Sequence, residues 1–214
     1  MSNLPFKKLL VFGDSWPYGC ELENYRPAFP ELMEQILQLP VENHSMFSTS
    51  IDHMVHKLLS MIEKNEVTDC GILFCLTGTT RSMVFDKTKL KEIHPTNTDI
   101  ESKMYYSYIF SWELAEFNFL RNCLLIQSIC KLKNIPLYFV ANWYSIPNNE
   151  LLDKTIFYNK SLIEILGHPP MEVKHGYIWD TVSQSEYFYP NNYHPNAKGH
   201  KLIAEELSKW ISFQ

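Results

Sequence analysis

Two short stretches at opposite ends of this 214-residue chain hold residue types that do hydrolytic chemistry together. Near the start, Leu10-Val11-Phe12 runs into Gly13-Asp14-Ser15-Trp16. Near the end, Tyr193-His194-Pro195-Asn196 leads into an apolar-periodic segment, with Gly199 close behind. A serine hydroxyl is a weak nucleophile until a base takes its proton, and the reaction needs donors where the substrate carbonyl becomes an oxyanion. Ser15, at the end of a strand, is expected to present its hydroxyl and to offer its own N–H as one donor. His194, held by the His-Pro turn, is the expected base.

Elements must deliver these residues to one place. Leu9–Phe12 is a continuous apolar run, consistent with a strand buried on both faces. Pro30 opens a helical pattern through Leu32, Met33, Ile36 and Leu37, and Val41–Ser45 reads as a weak second strand. Ser50 precedes an amphipathic helix through Met54, Val55, Leu58, Leu59, Met61 and Ile62. Gly71–Leu76 is the clearest strand and ends at Thr77-Gly78-Thr79-Thr80-Arg81. Residues 82–103 are polar and read as an irregular connection, long enough to imply a use.

Tyr105–Lys133 is predicted as one long helix or a broken pair, and Ile135–Val140 as a strand ending at Ala141-Asn142-Trp143. Leu151–Leu166 reads as helical, Tyr177–Trp179 as a short fifth strand, and Pro195–Ile211 as the last helix. Strands alternating with helices predict a single α/β domain, a parallel sheet covered on both faces, with a ligand crevice beyond the carboxyl ends of the strands. Ser15, Ser48, Thr80 and Trp143 all fall just past those ends.

Composition narrows the partners. A net charge of −5 gives no electrostatic case for nucleic acid, and no apolar stretch reaches the length of a membrane span. Five cysteines leave an odd one over and form no Cys-x-x-Cys, so buried free thiols in the cytoplasm are expected. His53 and His56 share a helix, but without a third ligand they read as solvated helix-face residues; His200 reads as a surface residue. Neither a metal nor an organic cofactor is implied. The high aromatic content suits either a core or a stacking surface for sugars.

From Gly13-Asp14-Ser15-Trp16 to His194-Pro195-Asn196-Ala197-Lys198-Gly199, the chain resembles the GDSL or SGNH hydrolases. The resemblance implies a three-layer, flavodoxin-like α/β/α fold and activity on a small-molecule ester, as in esterases, lipases and carbohydrate O-acetylesterases. It places Ser48 where the family's second block has a glycine whose N–H faces the oxyanion, so the serine narrows the pocket while the N–H persists. It places Thr80, in Gly78-Thr79-Thr80-Arg81, where the family has an asparagine donor, and Arg81 beside it as a substitute donor or a grip on an acidic substrate group. The family's aspartate three residues before the histidine is Asn191 here; an amide accepts the imidazole N–H but brings no charge. Asp180 is an alternative partner for His194.

The expected catalytic set is therefore Ser15, His194 and Asn191, with Ser15, Ser48 and Thr80 around the oxyanion. Asp14, Trp16, Gly78, Arg81, Trp143 and Tyr193 are expected on the substrate rim, with Asp14 read as a turn-stabilising carboxylate rather than a general base. The weakened blocks also fit a binding module that has lost chemistry. An acyltransferase would share the same first half-reaction.

Overall fold

A computed structural model describes residues 4–86, 89–145, 149–170, 185–190 and 193–214. Its centre is a four-stranded parallel sheet in the order β2-β1-β3-β6: β1 (Lys8–Phe12), β2 (Val41–Asn43), β3 (Cys70–Leu76) and β6 (Leu137–Ala141). Side chains alternate across the pleat, so each central strand feeds two cores. Leu9, Val11, Leu73, Cys75, Tyr138 and Val140 enter one, where they meet α2 (Phe29–Leu37), α6 (Leu162–Ile165) and α7 (Ala197–Ser212). Leu10, Phe12, Ile72, Phe74, Leu137 and Phe139 enter the other, against α3 (Ile51–Glu63) and α5 (Trp112–Lys133). Helices on both faces of a parallel sheet give the expected three layers.

The helices start where local chemistry satisfies their first N–H groups. Ser50 accepts from the His53 N–H at the head of α3, and Ser111 from that of Leu114 at the head of α5. Asp99 does the same for α4 (Ile100–Tyr108). The 105–133 segment is thus a broken pair, with the break at Ile109–Ser111 where the second cap intervenes.

Three expectations need correction. Residues 82–103 are not irregular: β4 (Ser82–Asp86) and β5 (Lys89–Ile93) pair as an antiparallel hairpin, Ser82 opposite Ile93, and α4 follows. Of β5, only Ile93 is buried, so the strand lacks the apolar run that would reveal it in sequence. Leu151–Leu166 is not one helix. Asp153 captures the Thr155 N–H and hydroxyl to make a single 3-10 turn (Lys154–Ile156), Phe157 bridges to Phe139 beside β6, and Ser161 with Glu164 restarts α6. His200 is not on the surface but fully buried, its ring stacked on Phe29. Tyr177–Trp179 lies outside the described residues.

All five cysteines are free and buried, as their apolar settings suggest. Among the described residues no helix is long and apolar enough to cross a membrane.

Candidate active site

The chain leaves β1 for β2 on one side and later returns to β3 on the other, so the two connections part company between β1 and β3. That reversal opens a crevice at the carboxyl ends of the strands. Ser15 stands there as the first residue of α1 (Ser15–Tyr18), directly after β1, with Asp14 as the cap accepting from the Trp16 N–H at 3.2 Å. The turn is tight: a Cβ on Gly13 would stand 2.2 Å from Pro17 Cγ. Ser15 keeps only 4% of its surface, less open than a strand-end serine suggests.

Asp14 is the hub of the crevice. It is fully buried, and its two oxygens accept four donors from different strand ends. Oδ1 takes the Trp16 N–H and, at 2.8 Å, the Asn142 amide after β6. Oδ2 takes the Thr77 hydroxyl at 2.6 Å and Arg81 at 3.0 Å, both after β3. Its turn-stabilising role is confirmed and enlarged, because this carboxylate ties β1, β3 and β6 together. The expected substrate contact from Asp14 is corrected: its accepting positions face protein donors and it has no exposed surface.

Ser48 is half-buried and has φ +57, in the left-handed region where a glycine is at ease and a serine is strained. Its neighbours are pinned from the hairpin. Glu92 of β5 accepts from the Thr49 hydroxyl (3.0 Å) and the Ser50 N–H (3.1 Å), and lies 2.9 Å from His53 Nδ1. The same nitrogen of Arg81 that meets Asp14 also reaches Thr77 Oγ1 (3.1 Å) and the Thr49 carbonyl (3.4 Å), joining the second and third blocks. Arg81 is thus anchored on protein partners. Thr80 is held from above, where the Tyr106 hydroxyl of α4 donates to its carbonyl at 2.5 Å. Gly78 is half-buried, and a Cβ there would find ordinary contact with Tyr144.

His194 precedes α7. Asn196 caps that helix, accepting from the Lys198 and Gly199 N–H groups, while its amide donates to the carbonyls of Glu186 and Phe188. A Cβ on Gly199 would stand 2.4 Å from the Tyr187 carbonyl, so the His-Pro-Asn-x-x-Gly spacing lets this loop lie against the helix. His194 Nδ1 faces Glu21 Oε1 at 3.9 Å. Burial pushes the imidazole below its ordinary pKa; Asp14 and Glu21 pull it back up, and Arg81 adds to the lowering. Asp14 and Arg81, which hold the Ser15 turn and the third block, thus act electrostatically on His194. Asn191 and Asp180 lie outside the described residues.

The aromatic residues divide. Trp16 is fully buried, packed on Trp143 (4.6 Å between rings) and Phe188 (5.6 Å), so it forms the floor of the crevice rather than an open stacking face. Trp143 is buried with it, whereas Tyr193 is exposed. Sequence reasoning missed Glu21, Thr77, Glu92, Asn142, exposed Phe47 beside Ser48, and His94, whose imidazole is pushed down to about 4 by burial and then by Arg81. Phe47 neighbours Ser48 in the sequence, whereas Glu21, Thr77, Glu92, Asn142 and His94 matter through long-range contacts. Among the described residues, no group of three or more His, Cys, Asp or Glu side chains is placed to hold a metal ion.

No family model matches the chain, and no curated protein does. Solved structures do. One is the psychrotrophic esterase EstA from a Pseudoalteromonas species, at 13% identity and TM-score 0.55, covering 97% of both chains. Another is the lipase Lip_vut3 from a goat rumen metagenome, at 14% identity and TM-score 0.56, covering 95% of this chain and 96% of that one. Identities this low speak for architecture alone. With its parallel 2-1-3-6 sheet, its Gly-Asp-Ser turn after β1 and its His-Pro-Asn turn before the last helix, the chain has the SGNH-hydrolase fold.

Proposed function

We propose that this protein is a serine esterase that cleaves an ester of a small acyl group through an acyl-enzyme on Ser15. In this reading His194 takes the Ser15 proton as the hydroxyl attacks the acyl carbonyl, then gives it to the departing alcohol. The N–H groups of Ser15 and Ser48, with the Thr80 hydroxyl, face the developing oxyanion. Water, activated in turn by His194, releases the acid and restores Ser15. Asn191 accepts the imidazole Nδ1–H and holds the tautomer.

The observation that carries this reading is the convergence on buried Asp14. The turn bearing Ser15, the third block through Thr77 and Arg81, and the charge field felt by His194 all meet at that carboxylate. The esterase and the lipase that share the fold support the same class of chemistry. Exposed Phe47 and Tyr193 beside polar groups favour an O-acetylated carbohydrate as the substrate.

One observation favours a second reading, a binding module without turnover: Arg81, the candidate substitute donor at the third block, is committed to Asp14, Thr77 and Thr49. A fluorophosphonate probe separates the two, and EstA was crystallised inhibited by monoethylphosphonate. Ser15 is the expected labelled residue, with labelling lost in Ser15→Ala and sharply reduced in His194→Ala. A folded protein that takes no label, or takes it elsewhere, rejects the esterase reading. An added alcohol that captures the acyl group in preference to water would make the enzyme an acyltransferase.

A further inference from the structure

We propose that Glu21 is the carboxylate that balances the charge on His194, acting as a positioning residue. The inference rests on the reading of Ser15 and His194 as the reacting pair. Where the resemblance calls for an acid, the loop before His194 supplies Asn191, which has no charge to offer the imidazolium that forms when His194 takes a proton. Glu21 lies instead on the turn that follows the nucleophile. Its Oε1 is 3.9 Å from His194 Nδ1, too long for a hydrogen bond and at the outer edge of ion-pair range. Facing Nδ1 leaves Nε2 on the opposite edge of the ring, the edge a base uses when its other nitrogen is held.

The backbone gives a second, independent observation. Gly19 ends α1 at φ +86, and two residues later Glu21 is itself held at φ +71. That region suits glycine or asparagine, and a glutamate is strained there. Non-glycine residues held in such conformations collect at functional sites, where the surrounding structure over-determines them. Here the residue in the strained conformation is the one whose carboxylate faces His194.

Among the described residues, the charges around His194 come from four elements. Asp14 from the end of β1 and Glu21 from the loop after α1 favour the charged imidazole. Arg81, after β3, opposes it. His200 on α7 also lies within electrostatic range, but burial keeps it neutral, with its pKa pushed down to about 3. Asp14 already accepts four donors and sits against the Arg81 guanidinium, so much of its charge is offset. Among the described residues, Glu21 is the carboxylate that faces the ring nitrogen directly, at 3.9 Å.

The test is an NMR titration of the His194 ring in wild type and Glu21→Gln, paired with turnover of p-nitrophenyl acetate across pH. Removing a unit charge about 4 Å away in a wet site is expected to lower the His194 pKa by roughly half a unit to one unit. The acid limb of the rate profile should move by the same amount. The kcat should fall roughly three- to tenfold with KM nearly unchanged, and Glu21→Asp should recover part of the loss. Adding Asn191→Asp should help Glu21→Gln more than it helps wild type, because the two carboxylates would serve one imidazole. A His194 titration and acid limb unchanged in Glu21→Gln overturn the proposal. Turnover that survives in Ser15→Ala overturns the parent reading instead, and the ring titration still shows whether Glu21 acts on His194.

Discussion

The Asp14 carboxylate and the Arg81 guanidinium meet at 3.0 Å across the carboxyl ends of β1 and β3, with Asp14 fully buried and the Arg81 side chain 15% exposed. One carboxylate thereby fixes the turn that bears Ser15 and the block that bears Thr80. Removing one partner of such a pair leaves the other charge buried without compensation.

Asp14→Ala is accordingly expected to lower unfolding stability by about 3–5 kcal/mol, since Arg81, Thr77 and Asn142 lose their shared acceptor. Urea denaturation checks this. A loss below about 1 kcal/mol would mean that the four donors find other partners when Asp14 is gone.

Ser48→Gly removes the Cβ from a residue at φ +57. Relief of left-handed strain outweighs the added freedom of glycine in the unfolded chain, and stability should rise by about 0.5–1 kcal/mol. The urea midpoint should move up with an unchanged m-value. The smaller residue should also widen the range of acyl groups accepted, read as a higher kcat/KM for butyrate over acetate esters.

Glu92 belongs to a hairpin outside the main sheet, yet it holds the Ser48 turn through Thr49, Ser50 and His53. Glu92→Ala should cost about 1 kcal/mol of stability, because water reaches part of the vacated site. Its larger effect should be on chemistry: a loosened Ser48 N–H lowers kcat roughly tenfold and leaves KM less changed. An unaltered kcat would separate the hairpin from the oxyanion donors.

His200 makes stability pH-dependent. Its Nδ1 accepts the Phe29 N–H at 3.1 Å, and burial pushes its pKa from 6.5 down to about 3. The unfolded chain therefore binds the proton more readily, and the contribution is fully present above about pH 6.5 and lost as pH falls from there toward 3. Between pH 7 and pH 5 this single group should remove roughly 2 kcal/mol. His200→Gln keeps an acceptor for Phe29 and should flatten that share of the decline. Parallel curves for variant and wild type would assign the acid sensitivity to other groups.

The sequence by itself determined the layers and the two candidate blocks. Continuous apolar runs such as Leu9–Phe12 and Gly71–Leu76 suit strands buried on both faces, and the pleat then dictates that alternate residues feed opposite cores. Gly13-Asp14-Ser15 and His194-Pro195-Asn196 were legible because tight turns and caps are local, built from contacts within a few residues. Only the tertiary structure decided that Asp14 joins three strand ends, that His200 lies inside, that Glu92 reaches the Ser48 turn and that Glu21 faces His194. Those relations are long-range, apart from the near neighbours of Asp14, and span up to 173 residues for the Glu21–His194 pair. A polar residue's spacing along the chain carries no record of the partner that neutralises it. The hairpin at 82–93 stayed hidden for a related reason: β5 is charged and buries only Ile93, so only half of the pair carries an apolar run and its place is set by what it touches.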